Sequence, residues 1–180
     1  LTWLFFEKSR GLDFSLRDLS VIENNQMHGY AMTSDKAFKN IAQFVNLKNK
    51  NFLDIGSGKG RVPYLAILNG AAVAEGIEFS EKLHNIALKN YEILGCKNNV
   101  KSNCIDAAAF ENYSAFDVFF LFNPFEDLLY EKIVDRMVGQ CRLIPKDRYV
   151  ICYGGSNLAA FAKYNFISVV YEGGLSLPFK

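Results

Sequence analysis

The chain has 180 residues, 50% of them hydrophobic, with 20 Lys and Arg against 19 Asp and Glu. That length and apolar content fit one domain with a full core. The balanced charge excludes the strongly basic footprint of a dedicated nucleic-acid binder and leaves room only for a local basic patch.

No run approaches the roughly 18 apolar residues of a membrane-spanning helix. The opening Trp3-Leu4-Phe5-Phe6 is too short for a signal-peptide core, and charges follow at once. The first residue is Leu rather than Met, which fits a fragment or a trimmed protein. Cys96, Cys104, Cys141 and Cys152 show no CxxC spacing, so free thiols in a reducing cytoplasm are expected over disulfides or metal. His28 and His84 are the only histidines, and no metal site is expected.

In chain order, residues 1–27 form an N-terminal extension of mixed character, helical in part. Thr33 or Ser34 caps a helix with Ala37, Phe38, Ile41, Phe44 and Val45 at helical spacing. Apolar runs then alternate with helical patterns. Strands are predicted at 52–55, 72–77, 100–105, 116–122, 149–153 and 166–171, where four to seven apolar residues suit strands buried on both faces. Helices are predicted at 60–68, 81–94, 125–138 and 157–164. The second has Ser80 as N-cap and Gly95 just past its end, and the third carries Phe125, Leu129, Ile133 and Met137 on one stripe. Such alternation implies a parallel sheet covered on both sides, with ligands beyond the carboxyl ends of its strands.

The segment Phe52-Leu53-Asp54-Ile55-Gly56-Ser57-Gly58-Lys59-Gly60-Arg61 holds the sharpest signal. Glycine allows positive φ and close approach of a ligand, and the following helix aims free N–H groups at the site. Pro63 suits the first turn of that helix. A dinucleotide site would read GxGxxG and place pyrophosphate here. In this chain the third glycine comes one residue early, and Asp54 precedes the first. A carboxylate repels pyrophosphate but attracts an ammonium or a sulfonium. The P-loop pattern GxxxxGK[ST] is absent. The competing reading is a plain strand–helix turn.

Glu78 ends the run Gly76-Ile77-Glu78-Phe79, eighteen residues after Gly60. At about that distance an acid reaches the ribose hydroxyls of a nucleoside; otherwise it is a surface acid near a helix start. Asp106, in Asn103-Cys104-Ile105-Asp106-Ala107, either accepts a bond from adenine's exocyclic amine, with Cys104 or Ala107 against the ring, or caps a helix.

These residues resemble the class I S-adenosylmethionine (SAM)-dependent methyltransferases. Asp54-Ile55-Gly56-Ser57-Gly58-Lys59-Gly60 is similar to their first motif, Glu78 to the ribose acid of their second strand, and Asp106 to the adenine-side acid of the third. Phe120-Leu121-Phe122-Asn123-Pro124-Phe125 is similar to the fourth motif. The resemblance covers about residues 28–171. It implies a Rossmann-like, doubly wound, mostly parallel seven-stranded sheet in the order 3-2-1-4-5-7-6, with helices on both faces and strand 7 antiparallel. A strand at 166–171, the turn Glu172-Gly173-Gly174 and a stub from Leu175 fit that ending. The implied cofactor is SAM. Its binding set is Asp54, Gly56, Ser57, Gly58, Gly60, Glu78, Phe79, Asp106 and Ala107. The lead-in His28-Gly29-Tyr30-Ala31-Met32-Thr33-Ser34 resembles that of small bacterial methyltransferases, where it closes over the methionine end of the cofactor, and so adds Tyr30 and Thr33. The alternatives are a helix cap for Thr33 and packing for Tyr30.

On the acceptor side, amino-methylating relatives carry Asn or Asp, Pro, Pro and an aromatic. The resemblance gives Asn123, Pro124 and Phe125 the catalytic positions, with one proline where relatives have two. The competing reading is strand–turn–helix punctuation. The expected function is N-methylation of an amine, on a protein lysine or a small molecule. Nucleic acid is a disfavoured acceptor. The alternatives are a catalytically silent SAM-binding module serving a partner, an RNA methyltransferase and, against the glycine spacing, a nicotinamide oxidoreductase.

Overall fold

The computed structural model describes residues 9–14, 17–18, 30–122, 127–153 and 159–164. Arg17–Asp18 (β1) pairs antiparallel with Tyr30–Ala31 (β2). Ser34 has extended backbone, and its hydroxyl accepts the Ala37 N–H at 3.2 Å, starting the helix Asp35–Ala42 (α1). The cap is therefore Ser34, and Thr33 is buried beside it. Phe44, expected on the apolar stripe of this helix, lies beyond its end and is exposed.

The chain then alternates as expected. Strands Asn51–Ile55 (β3), Val73–Glu78 (β4), Val100–Cys104 (β5), Val118–Phe122 (β6) and Tyr149–Tyr153 (β7) form one sheet in the order β5-β4-β3-β6-β7. Every pairing in it is parallel. The helices Arg61–Leu68 (α2), Glu81–Ile93 (α3), Asp127–Cys141 (α4) and Ala159–Ala162 (α5) lie between or after the strands. Seven strands were expected, and the described sheet has five. Counted from β3, their order is 3-2-1-4-5. The strand predicted at 166–171 and the stub from Leu175 lie outside the described residues.

Strand side chains alternate between two cores. Phe52, Val118 and Phe120 face Phe38 of α1 and Val62, Leu65 and Ala66 of α2. Leu53, Ile55, Phe119 and Leu121 face Tyr130, Ile133, Val134 and Met137 of α4 and Phe161 of α5. A strand covered on both faces must be apolar at every position, which is why β6 reads Val-Phe-Phe-Leu-Phe. The Phe120 ring lies 6.2 Å from that of Phe38 and 6.4 Å from those of Phe52 and Tyr153. Truncating a ring so enclosed costs about 3–5 kcal/mol. Helix α3 packs Ala87 and Tyr91 against Val100, Tyr64 and Ile67. It starts at the Ser80 cap and ends where Gly95 takes a φ of 66°.

Candidate cofactor site

Strand β3 sits at the centre of the sheet, and the chain leaves it on one side for β4 and returns on the other as β6. The crevice of such a sheet opens at this reversal, beyond the carboxyl ends of the strands. The glycine loop stands there. Gly56, Gly58 and Gly60 have φ of 82°, 54° and 82°, left-handed values that strain any residue with a Cβ. The N–H groups of Gly56 and Ser57 both donate to the Ile77 carbonyl at 2.9 Å, which ties the loop to the end of β4. Gly60 is the N-cap of α2 and makes no side-chain cap bond. A Cβ on Gly60 would also stand 2.3 Å from the Tyr91 hydroxyl oxygen. Opposite the loop, a Cβ on Gly76 would stand 2.3 Å from Ser57 Oγ. That hydroxyl is buried with no hydrogen-bond partner among the described residues.

Two acids lie beneath the loop. Asp54 is buried at the end of β3, and burial, reinforced by the nearby Glu78 carboxylate, holds its carboxyl well above the usual carboxylate range. An ammonium or sulfonium beside it would reverse that push, so the site suits a cation. Glu78 is buried too. Its Oε2 accepts the Gly58 N–H and its Oε1 the Ser80 N–H, each at 2.8 Å.

Phe79 follows just past the carboxyl end of β4 and is 41% exposed. Cys104 Sγ lies 3.9 Å from the Phe79 carbonyl oxygen. Asp106 is exposed, and its Oδ1 accepts the Ala108 N–H at 2.8 Å, capping the one-turn helix Ala107–Ala109. Ala107 is buried, and its carbonyl accepts the Tyr113 hydroxyl at 2.9 Å. Asp106 thus caps that turn through Oδ1. Tyr30 lies in β2 opposite Asp18. His28, Asn123, Pro124 and Phe125 lie outside the described residues; β6 ends at Phe122, just before them.

Sequence reasoning missed the support behind the loop. Lys59 is buried, with its ammonium 2.8 Å from Asp13 Oδ1. Asn90 of α3 bonds to residues 13 and 59 together. Arg61 pairs with Asp35 at 3.0 Å and lies 5.3 Å above the Phe14 ring. One signal was available: Asn90 shares a stripe with Leu83, Ala87 and Tyr91, where an amide must find partners. All four cysteines are free thiols. Among the described residues, no group of three His, Cys, Asp or Glu side chains could hold a metal ion, and no helix is long and apolar enough to cross a membrane.

The family model described as conserved hypothetical protein 95 matches residues 17–170. The chain belongs to that family. No curated protein matches it. Among solved structures, an RNA methyltransferase from Salinibacter ruber in complex with S-adenosyl-L-homocysteine (SAH) is similar, with 22% identity and a TM-score of 0.54, over 60% of this chain and 69% of that one. A SAM-dependent methyltransferase from Thiobacillus denitrificans, also in complex with SAH, is 20% identical with a TM-score of 0.51, over 58% of this chain and 43% of that one. The chain thus spans less than half the length of the second. The likeness to both is one of fold, an open α/β sheet with helices on its faces.

Proposed function

We propose that the protein uses SAM to methylate an amine, on a protein lysine or a small molecule, within one domain whose core is residues 28–171. The reading rests on one observation above all. The buried Asp54 carboxyl stands close enough to Glu78 to be raised by it, under a loop of three left-handed glycines. That arrangement suits a nucleoside joined to a cationic amino acid.

In this reading Asp54 holds the cationic amino-acid end, with Tyr30 and Thr33 closing over it. Gly56, Ser57, Gly58 and Gly60 give the backbone surface. Glu78 accepts ribose hydroxyls, and Phe79, Asp106 and Ala107 flank adenine. Bound there, the cofactor supplies an electrophilic methyl carbon on a sulfonium. Asn123 and Pro124 accept the N–H groups of the target amine through the amide and backbone oxygens. They hold its lone pair in line, and Phe125 packs beside it; alignment of this kind supplies much of the rate. A lysine acceptor must be neutral to react, and a dry pocket favours the neutral form. Free thiols support a cytoplasmic setting.

RNA is a second acceptor reading, supported by the name of the Salinibacter relative. The test is methyl transfer from radiolabelled SAM to lysine peptides, small amines and RNA in parallel, with calorimetric SAH titration and an NADH control. Label in an amine arm is expected. Label only in RNA overturns the acceptor. SAH binding without transfer in any arm leaves the silent module, and no SAH binding overturns the cofactor.

A further inference from the structure

We propose that Lys59 and Asn90 are positioning residues that hold the glycine loop in its binding shape by fastening residues 12–14 beneath it. Cofactor binding and docking of this N-terminal segment are then coupled, an inference that rests on the cofactor reading above.

Lys59 lies inside the loop, between Gly58 and Gly60. A lysine there is expected to reach into solvent, yet its side chain is 2% exposed and its ammonium meets Asp13 Oδ1 at 2.8 Å. Asn90 completes the junction from below. Its Nδ2 donates to the carbonyls of Asp13 and Lys59, both at 3.0 Å, and its Oδ1 accepts the Asp13 N–H at 3.0 Å. One amide therefore treats the backbone of residue 13 as a neighbouring strand would, while gripping the loop. Beside it, Arg61 at the start of α2 covers the Phe14 ring and pairs with Asp35 of α1. The same few residues thus secure the N-terminal segment, the lead-in helix and the cofactor loop.

The coupling has a physical cause. Glycines lose the most conformational freedom on ordering, so a loop of alternate glycines has little shape of its own. Glu78 fixes one side through Gly58, and the junction fixes the other through Lys59. A buried ammonium is costly unless paired. Without Asp13 the lysine loses its tie to residues 12–14, and the backbone between Gly58 and Gly60 loses that anchor. The segment is small, and an ion pair with one partner 46% exposed contributes little to global stability. Its effect falls on the loop.

The test uses the full chain with Asp13→Ala, Lys59→Arg, Lys59→Met and the double variant Asp13→Ala/Lys59→Met. Asp13 is half exposed, so its variant is expected to fold even if Lys59→Met does not. SAH affinity is read by calorimetry, and hydrogen exchange is read at residues 12–14 and 56–61 without ligand. Asp13→Ala should weaken SAH by about tenfold, as for loss of a charge-assisted bond, and speed exchange in both segments. Lys59→Arg should restore most of the affinity lost in Lys59→Met. The double variant should bind SAH no worse than Asp13→Ala alone, because both changes break the same junction. A lower melting temperature with unchanged SAH affinity and unchanged exchange at 56–61 would overturn the proposal. If the unaltered protein binds no SAH, the cofactor reading falls separately. Exchange then decides here: a rise in both segments supports the coupling, and a rise confined to 12–14 overturns it.

Discussion

The Glu78 carboxylate spans two turns of chain at once, taking the Gly58 N–H on one oxygen and the Ser80 N–H on the other, each at 2.8 Å. It sets the glycine loop and the entry to α3 in one frame, whatever else it binds. Glu78→Ala leaves two buried donors without acceptors, at about 1–3 kcal/mol each. The expected outcome is a melting temperature lower by roughly 5–10 °C, with SAH affinity reduced beyond that of any surface variant. Thermal melts and calorimetry check both halves. An unchanged melting temperature would remove Glu78 from the frame.

Asp54 should behave in the opposite sense. Its folded pKa is raised by burial and by Glu78. The stability linked to its protonated form is full below the ordinary Asp value of about 4 and is lost as pH rises through the folded pKa. Asp54→Asn should therefore stabilise the unliganded protein at neutral pH while abolishing detectable SAH binding. In the unaltered protein, SAH affinity should rise with pH across the same window as the carboxyl ionises. Melting curves and titrations over that pH range test the pair of signs. Loss of stability in Asp54→Asn would mean that the carboxylate has a structural cation partner.

Gly76 admits no side chain while Ser57 is present. Gly76→Ala puts a methyl 2.3 Å from Ser57 Oγ and 2.5 Å from its Cβ, and overpacking of this kind costs about 1–3 kcal/mol. Ser57→Gly in the same chain should recover most of the loss. A double variant no more stable than Gly76→Ala would show that the strain lies elsewhere.

Asn123→Ala separates transfer from binding. Single-turnover rate with an accepted amine should fall by about 100-fold, the scale set by misplacing a reacting group, while SAH affinity stays within a factor of about 2. An equal loss in both would place Asn123 with the cofactor instead.

Local pattern carried much of this fold. The strand at 149–153 came out residue for residue, because a short apolar run between polar stretches admits little else. Helix α3 was legible through its Ser80 cap and Gly95 stop. Asp54, the glycines and Glu78 could be read because each lies at a strand end that the alternation had already placed. Phe44 misled because spacing alone does not show where a helix stops. The seven-stranded expectation came from resemblance, and the described sheet has five strands. The junction of Asp13, Lys59 and Asn90 was invisible for a different reason. Its bonds cross 31 to 77 positions, and residue type alone marks a lysine as a surface cation.

The bond from Asn90 to residue 13 also constrains when the site comes into being. During synthesis the segment emerges first, but its amide partner leaves the ribosome 77 residues later. Until α3 has been made, residues 12–14 have Lys59 and Arg61 to meet but not the amide that fastens residue 13 to the loop. Segment and loop are therefore joined in full only once the stretch from β3 through α3 is in place.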